Sequence, residues 1–308
     1  MYTFIKEQKV FDVGGVKFGG QPGEYPTVLF GTVFYGKQFK SLDEQAFELT
    51  GQYVQQQEKL SSLTGVPGLP DVYIRSVSDV DKELDYILNL TDGPFSIDSS
   101  EAQTRAAALK YLSNAGALER VIYNSLNLGV TEEEVKALEK YPPECILALA
   151  YNPKDMGVDG RAQILVDGAG MLCVGGGLLD IVESVGVEKI LLDTGATPFG
   201  SMGCETLRAI PVFKNRFGLP TGCSIHNTLE SWPWMKDYRR ENQSGYDCAN
   251  AAANAMVPLC CGDYIVYGPV SSAPGIFPAI AFADKLMAEG AADYFGLKPS
   301  VNHPYKRL

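Results

Sequence analysis

The chain is 308 residues long, about twice an ordinary domain yet within the reach of one large α/β barrel. Apolar residues at 45% and charged residues at 20% describe a globular protein with a sizeable core and exclude a disordered or fibrous one. Lys plus Arg at 26 against Asp plus Glu at 37 give a net charge of -11, which excludes a general polyanion-binding surface and with it a nucleic-acid role.

In chain order, Met1-Tyr2-Thr3-Phe4-Ile5-Lys6-Glu7 lacks the basic segment and apolar run of a signal peptide. No apolar stretch approaches the roughly 20 residues of a membrane span. A cytoplasmic protein without membrane insertion is the expectation. Lys9 to Val13 and Val16 to Phe18 flank Gly14-Gly15, which predicts a β-hairpin with a primed turn inside residues 1–20, plugging one end of the main fold. Short apolar runs then recur at Val28 to Thr32, Val72 to Ile74, Phe95 to Ile97, Val121 to Tyr123, Ile146 to Ala150, Ile190 to Leu192, Gly222 to Ile225 and Tyr264 to Tyr267.

Helical periods lie between them. Asp79 to Leu90 and Glu101 to Ala115 carry spaced apolar residues, and Thr131 to Lys140 opens with a Thr and a Glu three residues on, a capping-box pattern. Alternation of this kind predicts a single (β/α)8 TIM barrel with an N-terminal β-hairpin, one domain over 1–308, rather than an open Rossmann sheet. Asn152 to Gly177 and Asn227 to Cys248 read as two long loops after strands, hence on the functional face.

Only two histidines are present, His226 and His303, so a site built from several histidines of one chain is excluded. The cysteines number seven and form no C-x-x-C, which suits reduced thiols rather than a disulfide framework. Polar residues close the strands: Asp98, Asn124, Asn152, Asp193 and Asn227. One such residue serves equally well as a helix N-cap. A whole series aimed at one barrel mouth suits a flat heterocycle with several N–H donors and a carbonyl, because Asp accepts paired N–H bonds and Asn serves either face.

Asp98, Asn124 and Asp193 resemble the Asp, Asn and Asp at the ends of strands three, four and six in pterin-binding barrels. More specifically, Gly19-Gly20-Gln21-Pro22-Gly23-Glu24-Tyr25-Pro26-Thr27, Tyr123-Asn124-Ser125, Asn152-Pro153-Lys154-Asp155, Leu219-Pro220-Thr221-Gly222-Cys223 with His226-Asn227, and Tyr267-Gly268-Pro269 resemble the family of the H subunit of tetrahydromethanopterin S-methyltransferase. That family includes methyltransferases acting between tetrahydrofolate and corrinoid proteins. The resemblance implies a methyltransferase moving a methyl group between a corrinoid cobalt and N5 of tetrahydrofolate by in-line displacement, with tetrahydromethanopterin as the alternative pterin. Tetrahydrofolate is preferred because a stand-alone chain without membrane features suits a soluble folate pathway. The resemblance further implies that Asp98, Asn124 and Asp193 hold the pterin and that Asn227 serves N5 in catalysis, and Asn152 joins the pterin-binding set as a member of the same strand-end series.

This chain has no D-x-H-x-x-G cobalamin signature, so the corrinoid belongs to a separate protein docking over the mouth, with Ser231 to Arg240 as a contact segment. Related barrels imply a homodimer. Dihydropteroate synthase is disfavoured because no Lys or Arg stands in the strand-seven and strand-eight stretches Gly222 to Asn227 and Tyr267 to Val270. Zinc at Cys223 and His226 or at Cys260-Cys261 is disfavoured too, since the cysteine pair precedes the last strand and reads as far from Cys223, so no metal is expected. A non-catalytic pterin-binding subunit of a larger methyltransferase complex is the alternative of another class.

Overall fold

A computed structural model of the chain describes residues 3–36, 39 and 42–308, so Met1 and Tyr2 of the expected 1–308 domain and 1–20 hairpin segment lie outside the described residues. Strands β1 (Val10–Val13) and β2 (Val16–Gly19) form the expected antiparallel hairpin, with Val13 paired to Val16. Its turn needs both glycines, since Gly14 and Gly15 have φ of 56° and 86°. Alternation along the hairpin puts Val13 and Phe18 on one side, where both are buried in a cluster with Val28, Phe30, Ile122, Leu147, Leu191 and Tyr264. The hairpin therefore plugs the N-terminal end of the barrel. Phe18 packs on Phe30 and Phe30 on Tyr264 with ring centroids 5.9 and 5.5 Å apart.

The barrel strands are β3 (Val28–Val33), β4 (Gly68–Tyr73), β5 (Phe95–Asp98), β6 (Val121–Leu126), β7 (Cys145–Leu149), β8 (Lys189–Asp193), β9 (Thr221–Cys223) and β10 (Tyr264–Pro269). They pair in parallel and in sequence, and β10 closes the circle between β9 and β3. Runs such as Cys145 to Ala148 are buried on both sides of the pleat, as strands covered outside by helices and filled inside by side chains must be. This is the TIM barrel with an N-terminal hairpin that the alternation predicts.

Helices α1 (Glu44–Thr64), α2 (Val80–Leu90), α3 (Ala102–Asn114) and α4 (Glu132–Lys140) follow the first four barrel strands. Helices α5 (Val158–Val166) and α6 (Leu178–Ser184) follow β7, and α7 (Gly203–Phe217) follows β8. Between β9 and β10 lie α8 (Ile225–Ser231), α9 (Pro233–Glu241) and α10 (Gln243–Leu259), and α11 (Ala273–Phe295) and α12 (Pro304–Arg307) end the chain. Asn227 to Cys248, expected as a loop, is thus largely helical, and α5 occupies much of the other expected loop. Among the described residues no helix is long and apolar enough to cross a membrane.

Thr131 caps α4 by accepting the Glu134 amide at 3.2 Å. The reciprocal half of a capping box is missing. The Glu134 carboxylate turns instead to Arg105, 2.6 Å away, because two buried helix faces meet there and an unpaired charge would be costly.

Candidate functional site

Inside the barrel the apolar layer above the hairpin gives way to polar residues. Register sets Thr32 beside Asp71 and Asp71 beside Ser96, so β3, β4 and β5 contribute one row. Asp71 is completely buried (0% exposed) and accepts from Thr32 Oγ1 at 2.9 Å, Ser96 Oγ at 2.5 Å and Asn124 Nδ2 at 3.1 Å. Asp98 and Asn124 are themselves register partners at the ends of β5 and β6. The structure therefore brings two of the expected residues together and adds Asp71, which the apolar-run reading passes over by starting that strand at Val72. A charged residue preceding an apolar run in a fully covered parallel strand is the signal that marks it.

Asp98 is half-buried, and among the described residues no donor reaches its carboxylate. Burial pushes it well above the usual carboxylate range, Asp71 raises it further, and the Arg105 charge opposes both. Arg105 also pins the turn after Asp98. Its Nη1 donates to the Ser99 carbonyl at 2.6 Å, its Nε donates to Tyr123 Oη at 3.0 Å, and Tyr123 in turn bonds Glu134.

Across the mouth, Asp193 ends β8 with the Gly195 amide donating to its Oδ1 at 2.7 Å. Burial pushes its carboxyl up to about 6, against that N–H and the charge of Arg161. Arg161 lies on α5 and is buried, with Nη1 donating to the Thr194 carbonyl at 2.5 Å and Nε to the Met156 carbonyl at 2.8 Å. It fastens the loop after β7 to the loop after β8.

Asn227 is not at a strand end. It lies in the first turn of α8, exposed, its backbone N–H donating to the Ser224 carbonyl at 2.9 Å. Thr228 Oγ1 donates to the Thr197 carbonyl at 2.8 Å, and the Phe199 amide donates to Ser231 Oγ at 2.6 Å. These bonds join α8 to the loop that follows Asp193. His226 is buried beside it, with Nδ1 3.0 Å from Asn250 Oδ1, and burial lowers its pKa, which favours a neutral ring. The ring lies against Gly268 at the end of β10, where φ is +93° and an added Cβ would come within 2.6 Å of the imidazole, so only glycine fits.

Four rings continue from this corner over the rim. Phe199 stacks on Trp232 and Trp234 on Tyr238, and Trp232 meets Trp234 at a tilt of 36°, each pair with centroids 4.9 Å apart. Phe199 and Trp234 are 56% and 54% exposed. Arg239 is committed to Glu230 at 2.7 Å and lies over the Tyr246 ring.

Asn152 is spent on its own loop: Oδ1 accepts the Lys154 and Asp155 amides at 2.9 and 3.1 Å, and Nδ2 donates to the Gly160 carbonyl at 2.9 Å. Cys223 and Cys260, expected to be distant, pack in one apolar cluster beneath α10. A cleft of about 510 Å³ lined by Lys17, Tyr25, Ser61 and Arg307 lies at the hairpin end, away from the strand-end residues.

The model of the family described as the tetrahydromethanopterin S-methyltransferase MtrH subunit matches residues 6–299. The H subunit of tetrahydromethanopterin S-methyltransferase from Methanothermobacter thermautotrophicus is 36% identical over 312 residues, covering all of both chains. Its namesake from Methanocaldococcus jannaschii is 32% identical over 321 residues, again covering both chains fully. Among solved structures, a Yersinia pestis dihydropteroate synthase with a sulfonamide drug is similar with a TM-score of 0.60 at 13% identity, covering 91% of this chain and all of that one. A Xanthomonas albilineans dihydropteroate synthase in complex with 7,8-dihydropteroate gives 0.56 at 14% identity, over 91% of this chain and 98% of that one. At such identities the likeness concerns the fold alone. The sequence matches go further: the chain belongs to the family of the MtrH subunit of tetrahydromethanopterin S-methyltransferase, a methyltransferase family built on the barrel described above.

Proposed function

We propose that the protein transfers a methyl group between the cobalt of a separate corrinoid protein and N5 of a tetrahydropterin. The observation that carries this reading is the paired strand-end acceptors Asp98 and Asn124, with Asp193 across the mouth, in a chain of a methyltransferase family. Asp98, Asn124 and Asp193 receive the N–H edge of the ring, while Asn152 fixes the loop beside them rather than touching the ligand. Asn227 stands at the open rim where the methyl is exchanged. Its amide serves N5 as acceptor or donor, so it stabilises the developing charge at that nitrogen more than either ground state. Orientation of the two partners supplies much of the remaining rate.

The stacked rings from Phe199 to Tyr238 are the proposed contact for the corrinoid protein, since exposed aromatics suit an interface core. A homodimer is part of the proposal: the outer faces of the neighbouring helices α10 and α11 expose Met256, Leu259, Phe282 and Leu286. Tetrahydrofolate is the pterin the sequence reading prefers. Tetrahydromethanopterin is the one named in the two relatives above, and that observation favours it.

Anaerobic incubation of the protein with methylcobalamin and each tetrahydropterin, followed by the visible spectrum, tests the reading. Cob(I)alamin should appear with one pterin, and the preferred one identifies the tail. Pterin binding without any spectral change, even with a corrinoid protein as the methyl donor, would instead establish a non-catalytic pterin-binding subunit.

A further inference from the structure

We propose that Asp71 is a positioning residue of the pterin site, holding the Asn124 amide with Nδ2 inward and Oδ1 toward the mouth so that the ring meets acceptors only. The inference rests on the pterin reading above. An ionised carboxylate accepts and cannot donate, so an amide that bonds to it must present its nitrogen. Asp71 is fully buried, takes three side-chain donors from three different strands, and forms no ion pair with a cation among the described residues. Asn124 Oδ1 takes no hydrogen bond from the described residues and is left for a ligand.

The neighbouring groups have the same polarity. Asp98 offers a carboxylate without a donor, and Asp193 uses Oδ1 on Gly195. Such a mouth selects a ring with N–H groups along its edge. A tetrahydropterin has them at the 2-amino group, N3 and N8. A fully oxidised pterin carries a lone pair at N8 and meets an acceptor with an acceptor. The site thus discriminates the redox state of the ring, independently of its tail.

A proton goes with this arrangement. Burial raises both neighbouring carboxylates, but three side-chain donors oppose the rise at Asp71 and none does at Asp98, so of the two it is Asp98 that holds a proton until the N–H edge of the ring replaces it. The charged groups facing Asp98 are Asp71 from β4 and Arg105 from α3, the latter shared with Glu134 from α4 and Tyr123 from β6.

Tail-free probes test the proposal: 6-methyltetrahydropterin and fully oxidised 6-methylpterin, titrated anaerobically into the whole protein from about pH 5 to about pH 9. Wild type should prefer the reduced ring by at least about tenfold and lose affinity as pH falls through the raised Asp98 range. Asp71→Asn can both donate and accept, so it frees Asn124 to turn. It should shrink the preference to about twofold and move the acid limb to lower pH, because Asp98 loses its negative neighbour. A merely structural role would weaken both ligands alike and leave the limb in place. If wild type binds neither ring, the pterin reading itself fails. Binding with the same preference and the same limb in Asp71→Asn overturns this inference alone. Should that variant not fold, wild type decides, since equal affinity for the two rings means the mouth is not acceptor-only.

Discussion

The two halves of the barrel mouth are built by different rules. On the side of β3 to β6, side chains bind side chains: Asp71 gathers Thr32, Ser96 and Asn124, and the buried Arg105, Glu134 and Tyr123 brace them from behind. On the side of β8 to β10, the loops are tied by side chains bound to backbone: Arg161, Thr228 and Ser231 sew them together through carbonyls and amides, and the surface they carry is exposed and aromatic. The first half fixes polar atoms where nothing can relax, which suits recognition of a small ring. The second holds loops in place while leaving their side chains in solvent, which suits a step shared with another macromolecule.

Four perturbations test this division, from the largest effect to the smallest. Glu134→Ala leaves Arg105 as a buried uncompensated charge and should destabilise the fold by about 3–5 kcal/mol in a denaturant titration, whereas a loss under about 1 kcal/mol would mean the brace is dispensable. Asn227→Ala, in the exposed half, should fold normally and lower kcat by roughly 10²-fold or more with little change in pterin affinity. Equal losses in both would make Asn227 a plain binding residue.

Asp193→Asn should weaken pterin binding by roughly tenfold at neutral pH, where wild type is mostly ionised. The sign follows from the raised carboxyl. Below about 6 wild type is protonated and cannot accept two N–H bonds, so its Asp193-dependent affinity grows as pH rises through about 6. In Asp193→Asn the component near 6 should vanish, leaving only the loss that depends on Asp98, and an acid limb identical to wild type would show that Asp193 does not contribute to it. Trp234→Ala should raise KM for the corrinoid protein by several-fold to roughly tenfold while leaving pterin affinity alone. An effect on pterin rather than on the partner would place the rings inside the small-molecule site.

The same division explains what the sequence could reveal. Barrel strands announce themselves as apolar runs, and Asp98, Asn124 and Asp193 stand out because they end such runs. Asp71 does not, since it follows Pro70 inside the strand and is recognised only once the barrel closes and neighbouring registers supply its donors. Helix α1 escapes because part of its buried face is Thr50, Gly51 and Gln57 rather than a stripe of large apolar residues. Helix α10 escapes because Ala249, Ala251, Ala252, Ala253 and Ala255 give no amphipathic contrast. Asn227 illustrates the reverse error: the run from Gly222 to Ile225 looks like one strand, but the strand ends at Cys223 and Ile225 already opens a helix.

The hairpin at the other end has a kinetic consequence. With Val13 and Phe18 sealed against Phe30 and Tyr264, an apolar plug among the described residues covers the polar row around Asp71 from below. Traffic is then one-way in space. On the proposed function, a small substrate and a macromolecule sharing the rim would arrive and depart in order, the small one first in and last out. Trapping of labelled pterin by an excess of corrinoid protein is how that order would show itself.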